Sequence, residues 1–239
     1  MYDNKVVVTG AAGFIGFSIC KELLKRNIEI IGIDNFSDYY DPRLKRERHA
    51  KLVSASKYSQ SKLNFYEVDL LDKDAIEDIL VKYKPNTICH LAAQAGVRYS
   101  LENPNSYIEN NITVTTNLLD LSKNLGIGNF VFASTSSVYG LNNEVPFSEE
   151  TPIDSTISPY AASKRACELL CHTYHYIYGI KCRILRFFTV YGPWGRPDMA
   201  LFKFVRSMLN GTPIQIFNKG NMKRDFTFID DVTDSIIGL

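Results

Sequence analysis

Tyr160 and Lys164, four residues apart in Ser158-Pro159-Tyr160-Ala161-Ala162-Ser163-Lys164, are the pair in this chain best suited to move a proton. Ser158 is a good N-cap and Pro159 suits a first helical position, so both side chains are predicted to leave one face of a helix. A nearby ammonium favours tyrosinate, lowering a phenol pKa from about 10 toward neutrality, where it serves as general base and acid. Such a pair also arises by chance, as a core tyrosine beside a surface lysine. The glycine turn Thr9-Gly10-Ala11-Ala12-Gly13-Phe14-Ile15-Gly16, directly after the apolar run 5–9, sets this one apart. Gly10 permits the turn, Gly13 lets backbone N–H groups approach a pyrophosphate, and Gly16 allows close helix–strand packing. The helix N-terminus that follows adds its dipole and free donors. A second apolar run, 28–33, is followed by Asp34, where a dinucleotide-binding unit places the carboxylate that accepts from ribose hydroxyls. Its charge would repel a 2′-phosphate, and Asn35 stands where an NADP site favours a cation, so the predicted cofactor is NAD. A third group of hydroxyls, Ser134 to Ser137, closes the apolar run 129–134, at the strand end where open α/β sheets bind ligands. A loop capping its own backbone would use the same residue types.

Positioning these groups requires a sheet. Apolar runs at 5–9, 28–33, 63–68, 86–91, 129–134 and 181–188 alternate with helical patterns near 14–26, 42–56, 72–83, 104–125 and 159–178. That alternation predicts an α/β fold, a doubly wound parallel sheet with helices on both faces. From Tyr191 the turn-rich stretch Gly192-Pro193-Trp194-Gly195-Arg196-Pro197 breaks the pattern. A helix near 199–209, a strand at 214–217 and a helix opened by Asp230 and Asp231 are predicted after it. The expected organisation is a dinucleotide-binding domain over 1–190 and the beginning of a smaller substrate-binding lobe over 191–239, truncated because the last helix carries no stop signal.

Composition narrows the partners. The 239 residues are 45% hydrophobic and 22% charged, ordinary for a globular protein. With 27 basic against 26 acidic residues, nothing favours nucleic acid or an anionic membrane as partner. The basic run Arg43 to Arg48 reads as a solvated helix face. No apolar stretch approaches the ~20 residues that span a bilayer, and no signal peptide is read, so a cytoplasmic location is expected. Five scattered cysteines suit reduced, buried thiols. Cys171 and His175 share a helical face, yet Leu169, Leu170, Tyr174 and Ile177 around them read as a packing surface, and no metal is assigned.

The Gly-x-x-Gly-x-x-Gly form, with Tyr160 and Lys164, resembles the short-chain dehydrogenase/reductase superfamily with its Rossmann-type fold, and its extended, nucleotide-sugar-modifying branch in particular. Three segments are similar to the UDP-glucuronate 4-epimerases: 34–41 (Asp-Asn-Phe-Ser-Asp-Tyr-Tyr-Asp), 90–100 (His-Leu-Ala-Ala-Gln-Ala-Gly-Val-Arg-Tyr-Ser) and 186–193 (Arg-Phe-Phe-Thr-Val-Tyr-Gly-Pro), the last continuing into Arg196-Pro197-Asp198-Met199-Ala200. Trp194 interrupts that signature where many relatives are expected to carry a polar or basic residue. The resemblance implies NAD contacts at Gly10, Gly13, Phe14, Ile15, Gly16, Asp34, Asn35, Asp69, Leu70, Ala92, Ala93, Asn110 and Phe188, besides Tyr160 and Lys164. It makes Thr135 the hydroxyl that bridges substrate and catalytic tyrosine, with Ser136 and Ser137 beside it in the substrate site. Thr189 and Arg196 become ligands of a uronate carboxylate and Arg98 a further candidate, while Arg224 resembles the arginine that pairs with the UDP pyrophosphate. Arg196 bracing its own loop, and Arg224 in a surface ion pair, are the structural alternatives.

The implied activity is NAD-dependent 4-epimerisation of UDP-glucuronate to UDP-galacturonate through a 4-keto intermediate, in a homodimer paired through helices 104–125 and 159–178. The acids that related dehydratases and decarboxylases place after the threonine are serines here, Ser136 and Ser137. A UDP-glucose or UDP-N-acetylglucosamine 4-epimerase, a UDP-glucuronate decarboxylase and a catalytically silent NAD-binding protein are the alternatives.

Overall fold

The computed structural model describes residues 5–142, 145–221 and 223–239. Six strands form one parallel sheet: β1 (Lys5–Thr9), β2 (Glu29–Asp34), β3 (Leu63–Glu67), β4 (Thr87–His90), β5 (Asn129–Thr135) and β6 (Lys181–Phe187). Their order is β3-β2-β1-β4-β5-β6, so the strand order reverses between β1 and β4 while every pairing stays parallel. Neighbouring residues of each inner strand serve opposite faces, which explains the near-continuous apolar runs. Val7, Ile31, Ile88 and Phe130 pack with α3 (Lys73–Tyr83), α6 (Val114–Leu125) and α7 (Pro159–Tyr178). Val8, Ile30, Cys89 and Val131 pack with α1 (Phe14–Lys25), α2 (Pro42–Ser56) and α9 (Ile229–Ile237). Each fully buried aliphatic or aromatic side chain contributes about 1.5–3 kcal/mol. Cys20, Cys89, Cys167 and Cys171 are buried on the two faces, and burial raises the first three thiols. For Cys171 the adjacent Cys182 sulfur acts first and burial second, in the same direction.

The helix boundaries follow their caps. Asp41 accepts from Arg43 N at the start of α2, Asp72 from Ala75 N at α3, and Ser158 from Ala161 N at α7. Gly126 and Gly179 take the left-handed conformation that ends α6 and α7. Between β4 and α6 run α4 (Tyr99–Glu102), α5 (Asn105–Tyr107) and a π-helical segment, Ile108–Thr113. Beyond β6 a separate two-stranded sheet forms, in which β7 (Thr189–Tyr191) pairs in parallel with β8 (Phe226–Phe228), with α8 (Ala200–Leu209) between them in sequence.

Three expectations are corrected. Residues 214–217 form no strand: Ile216 is exposed, and the edge of β7 is taken instead by Phe226–Phe228. The basic run at 43–48 is not a solvated face throughout, because Lys45 and Arg48 point inward and are buried. The surface read around Cys171 is only half a packing surface; Leu170 and Tyr174 join the core, whereas Leu169 and Ile177 are exposed.

Where the strand order reverses, side chains of β1, β4 and α6 form one buried network. Leu91 N and Ala92 N each donate to Thr9 Oγ1 at 3.2 Å. The hydroxyl proton therefore goes to His90 Nδ1, 2.7 Å away, leaving Nε2–H to donate to Thr115 Oγ1 at 3.2 Å. Burial, reinforced by the Lys164 charge, lowers the His90 pKa to about 3, so the ring is neutral. Its folded pKa lies below the unfolded value near 6.5, so the unfolded chain binds the extra proton between these limits and stability falls with pH there. We expect His90→Gln to remove about 1.4 kcal/mol per pH unit from the acid slope between pH 6 and 4. Urea denaturation across that range measures it, and an unchanged slope would show that His90 is charged in the folded protein.

Candidate active site

The carboxyl ends of the strands converge on a cleft of about 270 Å³ lined by the glycine turn, Asp34, Thr135, Tyr160, Lys164 and Arg196. A smaller cavity of about 70 Å³ continues it past Asn35, Asp69, Leu70, Ala92, Ala93 and Asn110. Gly10 lies at φ +68°, and a Cβ there would come 2.9 Å from Ala92 N; a Cβ on Gly16 would collide with the Gly10 carbonyl. The first turn of α1 has no capping side chain, which leaves its N–H groups toward the cleft mouth. Asp34 Oδ2 accepts from Ala12 N at 2.9 Å and Oδ1 from Phe36 N at 2.8 Å, fixing a carboxylate that retains lone pairs for two hydroxyls. Asn35 Nδ2 donates to Asp69 Oδ2 at 2.9 Å across the smaller cavity. The close approach at Gly10, the open helix start and the aimed acid together fit a dinucleotide.

Every predicted cofactor residue lines one of these two cavities. Sequence reasoning did not assign Tyr39, Tyr40, Lys45, Gln94 and Met199, which line the main cleft as well. Gln94 is held from the π-helical segment: Asn111 accepts from its N–H at 2.8 Å and donates to its carbonyl and to Ser163 Oγ. Local widening of a helix for such a side chain has no sequence period, so pattern reading passes over it.

Tyr160 and Lys164 leave one face of α7 as predicted, but their electrostatics differ from the expectation. Lys164 Nζ donates to the Ala133 carbonyl at 2.9 Å and stands 4.8 Å from the centre of the Phe132 ring. Burial lowers its pKa to about 8. Burial likewise raises the Tyr160 pKa, opposed by the Thr135 hydroxyl on the phenol and then by the Arg196 charge. The cation that acts on the phenol is thus Arg196 rather than Lys164, whose ammonium is drawn to a strand carbonyl. Tyr107 supports the ring edge-on at 6.0 Å and donates to the Ala95 and Gly96 carbonyls.

The predicted substrate residues are distributed unevenly. Arg196 lines the cleft, its fork closed by Asp198 at 3.0 Å (Nε to Oδ1) and 2.6 Å (Nη2 to Oδ2). Its guanidinium stands 5.8 Å from the Tyr39 ring centre. Ser136 and Ser137 begin a 3₁₀ turn whose Ser137 N donates to Thr135 Oγ1. Thr189 opens β7, Arg98 precedes α4 and Arg224 is exposed, donating to the Lys223 carbonyl; none of the three lines either cavity. Beneath the cleft floor, buried Glu168 accepts from Ser134 Oγ and from Nε and Nη2 of Arg186, bracing β5 and β6 against α7. His175 Nδ1 lies 2.8 Å from the Ile180 carbonyl, and no group of three metal-ligating residues occurs among the described residues. Nor is any described helix long and apolar enough to cross a membrane.

The model of the NAD dependent epimerase/dehydratase family matches residues 6–238. A probable UDP-glucuronate 4-epimerase of Rhizobium meliloti is 45% identical over 235 residues, covering 98% of this chain and 67% of that protein. The crystal structure of UDP-glucuronic acid 4-epimerase from Bacillus cereus, in complex with UDP-glucuronic acid and NAD, superposes with a TM-score of 0.89 at 39% identity. It covers 98% of this chain and 72% of that one. UDP-glucose 4-epimerase of Thermotoga maritima, solved with UDP-glucose, gives 0.84 at 32% identity over 98% of this chain and 72% of that one.

The burial of Lys164 has a measurable signature. Below pH 8 the folded state carries the full penalty of a desolvated ammonium; between about 8 and 10.5 it sheds the proton that the unfolded chain still holds, and the penalty fades. The shift corresponds to about 3 kcal/mol, less about 1 kcal/mol for the hydrogen bond to Ala133. Lys164→Met is therefore expected to stabilise the cofactor-stripped protein by about 2 kcal/mol at pH 7 and to lose that advantage near pH 10. Urea titrations at both pH values measure it; a destabilised variant at pH 7 would contradict a lowered lysine pKa.

Proposed function

The chain belongs to the NAD-dependent epimerase/dehydratase family, and from that premise we propose that it interconverts UDP-glucuronate and UDP-galacturonate by inverting C4. The observation that carries this reading is the convergence of Tyr160, Thr135 and Arg196 on the cleft that begins at the glycine turn. Tyr160 takes the proton of the C4 hydroxyl, with the Thr135 hydroxyl beside it to align the phenol. NAD, when bound, supplies reversible hydride exchange at C4. The 4-keto sugar then presents its other face, and Tyr160 returns the proton, so configuration inverts without net redox change. Lys164 holds its charge below the phenol against the Ala133 carbonyl, within reach of the cofactor site. Gly13, Asp34 and Asp69 serve the cofactor's phosphates, ribose and adenine.

A 4-keto uronate is a β-keto acid, prone to losing carbon dioxide. Arg196, assisted by Thr189, holds the carboxylate out of the geometry that loss requires; a guanidinium fork suits two carboxylate oxygens as no lysine does. Ser136 and Ser137, in the 3₁₀ turn directly after Thr135, are assigned to the substrate, Arg98 is a further candidate for the carboxylate, and Arg224 is assigned to the nucleotide's pyrophosphate. Ser136 and Ser137 also stand where sister activities use acids, which supports epimerisation over dehydration or decarboxylation. Asp198 favours a second reading. It already fills the Arg196 fork, as a site for neutral UDP-hexoses would permit.

The five free cysteines suit a reducing cytoplasm. Exposed Ile108, Leu169 and Ile177, on the segments expected to pair subunits, support a homodimer.

Incubation with UDP-glucuronate without added cofactor, followed by NMR, should yield UDP-galacturonate; a pentose product would overturn the assignment. Tyr160→Phe should reduce turnover at least 100-fold while NAD stays bound, since general acid–base catalysis contributes about 10²–10⁴-fold. Substantial residual turnover would remove the phenol from its role. Arg196→Ala should raise KM for UDP-glucuronate at least tenfold more than KM for UDP-glucose, and equal changes would favour the neutral-sugar reading.

A further inference from the structure

Among the described residues, Arg48 is the largest side chain wholly removed from solvent, at 0% exposure, and no carboxylate pairs with it. Its Nη1 donates to the Ala12 carbonyl at 3.1 Å and to Tyr40 Oη at 2.7 Å. Its Nη2 donates to the Trp194 carbonyl at 2.6 Å and to the Gly195 carbonyl at 3.3 Å, while Nε is buried without a partner. One guanidinium from α2 thus grips two loops that are far apart in the chain. Ala12 lies inside the glycine turn that faces the cofactor; Trp194 and Gly195 immediately precede Arg196.

A buried guanidinium held only by neutral acceptors, with one N–H unsatisfied, is an expensive way to join two loops. Apolar packing would join them more cheaply, and Phe17 already packs against the Trp194 ring at 5.8 Å. What apolar packing cannot do is fix the direction of backbone carbonyls. That direction matters here: Trp194 is a non-glycine residue at φ +65°, a conformation that costs about 1 kcal/mol or more and persists only when its surroundings hold it. Two carbonyls aimed at one planar fork hold it. The rotation of the backbone at 194–195 decides where the next residue, Arg196, begins.

We propose that Arg48 is a positioning residue for the acidic-sugar specificity of the site, setting the Arg196 loop against the glycine turn. The inference rests on the reading of Arg196 as carboxylate ligand. Tyr40 is its accessory, fixing the outer edge of the same guanidinium.

The test is a double-mutant cycle on the holoenzyme, read as the ratio of KM for UDP-glucuronate to KM for UDP-glucose. Arg48→Lys keeps the charge but cannot span both loops, and should raise that ratio about tenfold with kcat for UDP-glucose little changed. In an Arg196→Ala background the same substitution should leave the ratio where Arg196→Ala alone puts it, because the two act as a unit. A lowered Tm with an unchanged ratio, or effects that add, would overturn the positioning role while leaving the Arg196 reading intact. An Arg196→Ala enzyme with an unchanged ratio would overturn that reading and this inference with it. Should Arg48→Lys fail to fold, Tyr40→Phe carries the same comparison, with an expected change of two- to threefold; no change in that ratio would overturn the proposal.

Discussion

The hydroxyl of Thr9 joins the two halves of the sheet at the point where their strand order reverses, and the cleft exists because that joint is tight. It accepts the N–H groups of Leu91 and Ala92 and gives its proton to His90. The loop after β4 is thereby drawn against Gly10 closely enough to exclude a side chain there. A parallel sheet brings all its βα loops to one edge. Without the Thr9–His90 tie those two loops would have no common wall. The neutral imidazole is the condition for this arrangement, since a second ring proton would have no acceptor in Thr9.

Around that joint the protein treats its buried and half-buried cations in two ways. Arg186 is neutralised by Glu168 and Arg196 by Asp198, both as hydrogen-bonded pairs. Lys45, Arg48 and Lys164 are instead given to neutral oxygens: Ser37, the loop carbonyls with Tyr40, and Ala133. Lys45 and Lys164 line the cleft, while Arg48 holds the glycine turn that forms part of its wall. For ligands carrying two phosphates, or phosphates and a carboxylate, that leaves positive charge held in no ion pair among the described residues. Burial has already removed part of the water that would screen it.

Much of this was legible in the residues. Near-continuous apolar runs located the strands of the main sheet within a residue or two, because both faces are covered and every strand residue is constrained. The cap at Ser158 announced the start of α7 through a short-range hydrogen bond that depends on neighbours alone. The glycine turn and Asp34 were readable for the same reason. What failed depended on the third dimension. Lys45 and Arg48 sit in a helix so polar that nothing local distinguishes an inward cation from an outward one. Residues 214–217 have strand composition but no available edge, which Phe226–Phe228 occupies. Lys164 was placed on the correct face, yet a carbonyl of β5, not the phenol one turn away, decides where its ammonium goes. Asp198 was quoted only as part of a signature, and its claim on the Arg196 fork emerged from a two-residue turn.

The shielded sulfurs of Cys20, Cys89, Cys167 and Cys171 lie on α1, β4 and α7, where burial, preceded at Cys171 by the neighbouring Cys182 sulfur, raises their pKa values and suppresses thiolate. Each is chemically silent while its neighbourhood stays closed and becomes alkylatable once it opens. The protein therefore carries intrinsic reporters of local breathing on both sides of its sheet. The order in which a small alkylating reagent marks them, followed by mass spectrometry, would rank the sub-global openings of the native ensemble without any added label.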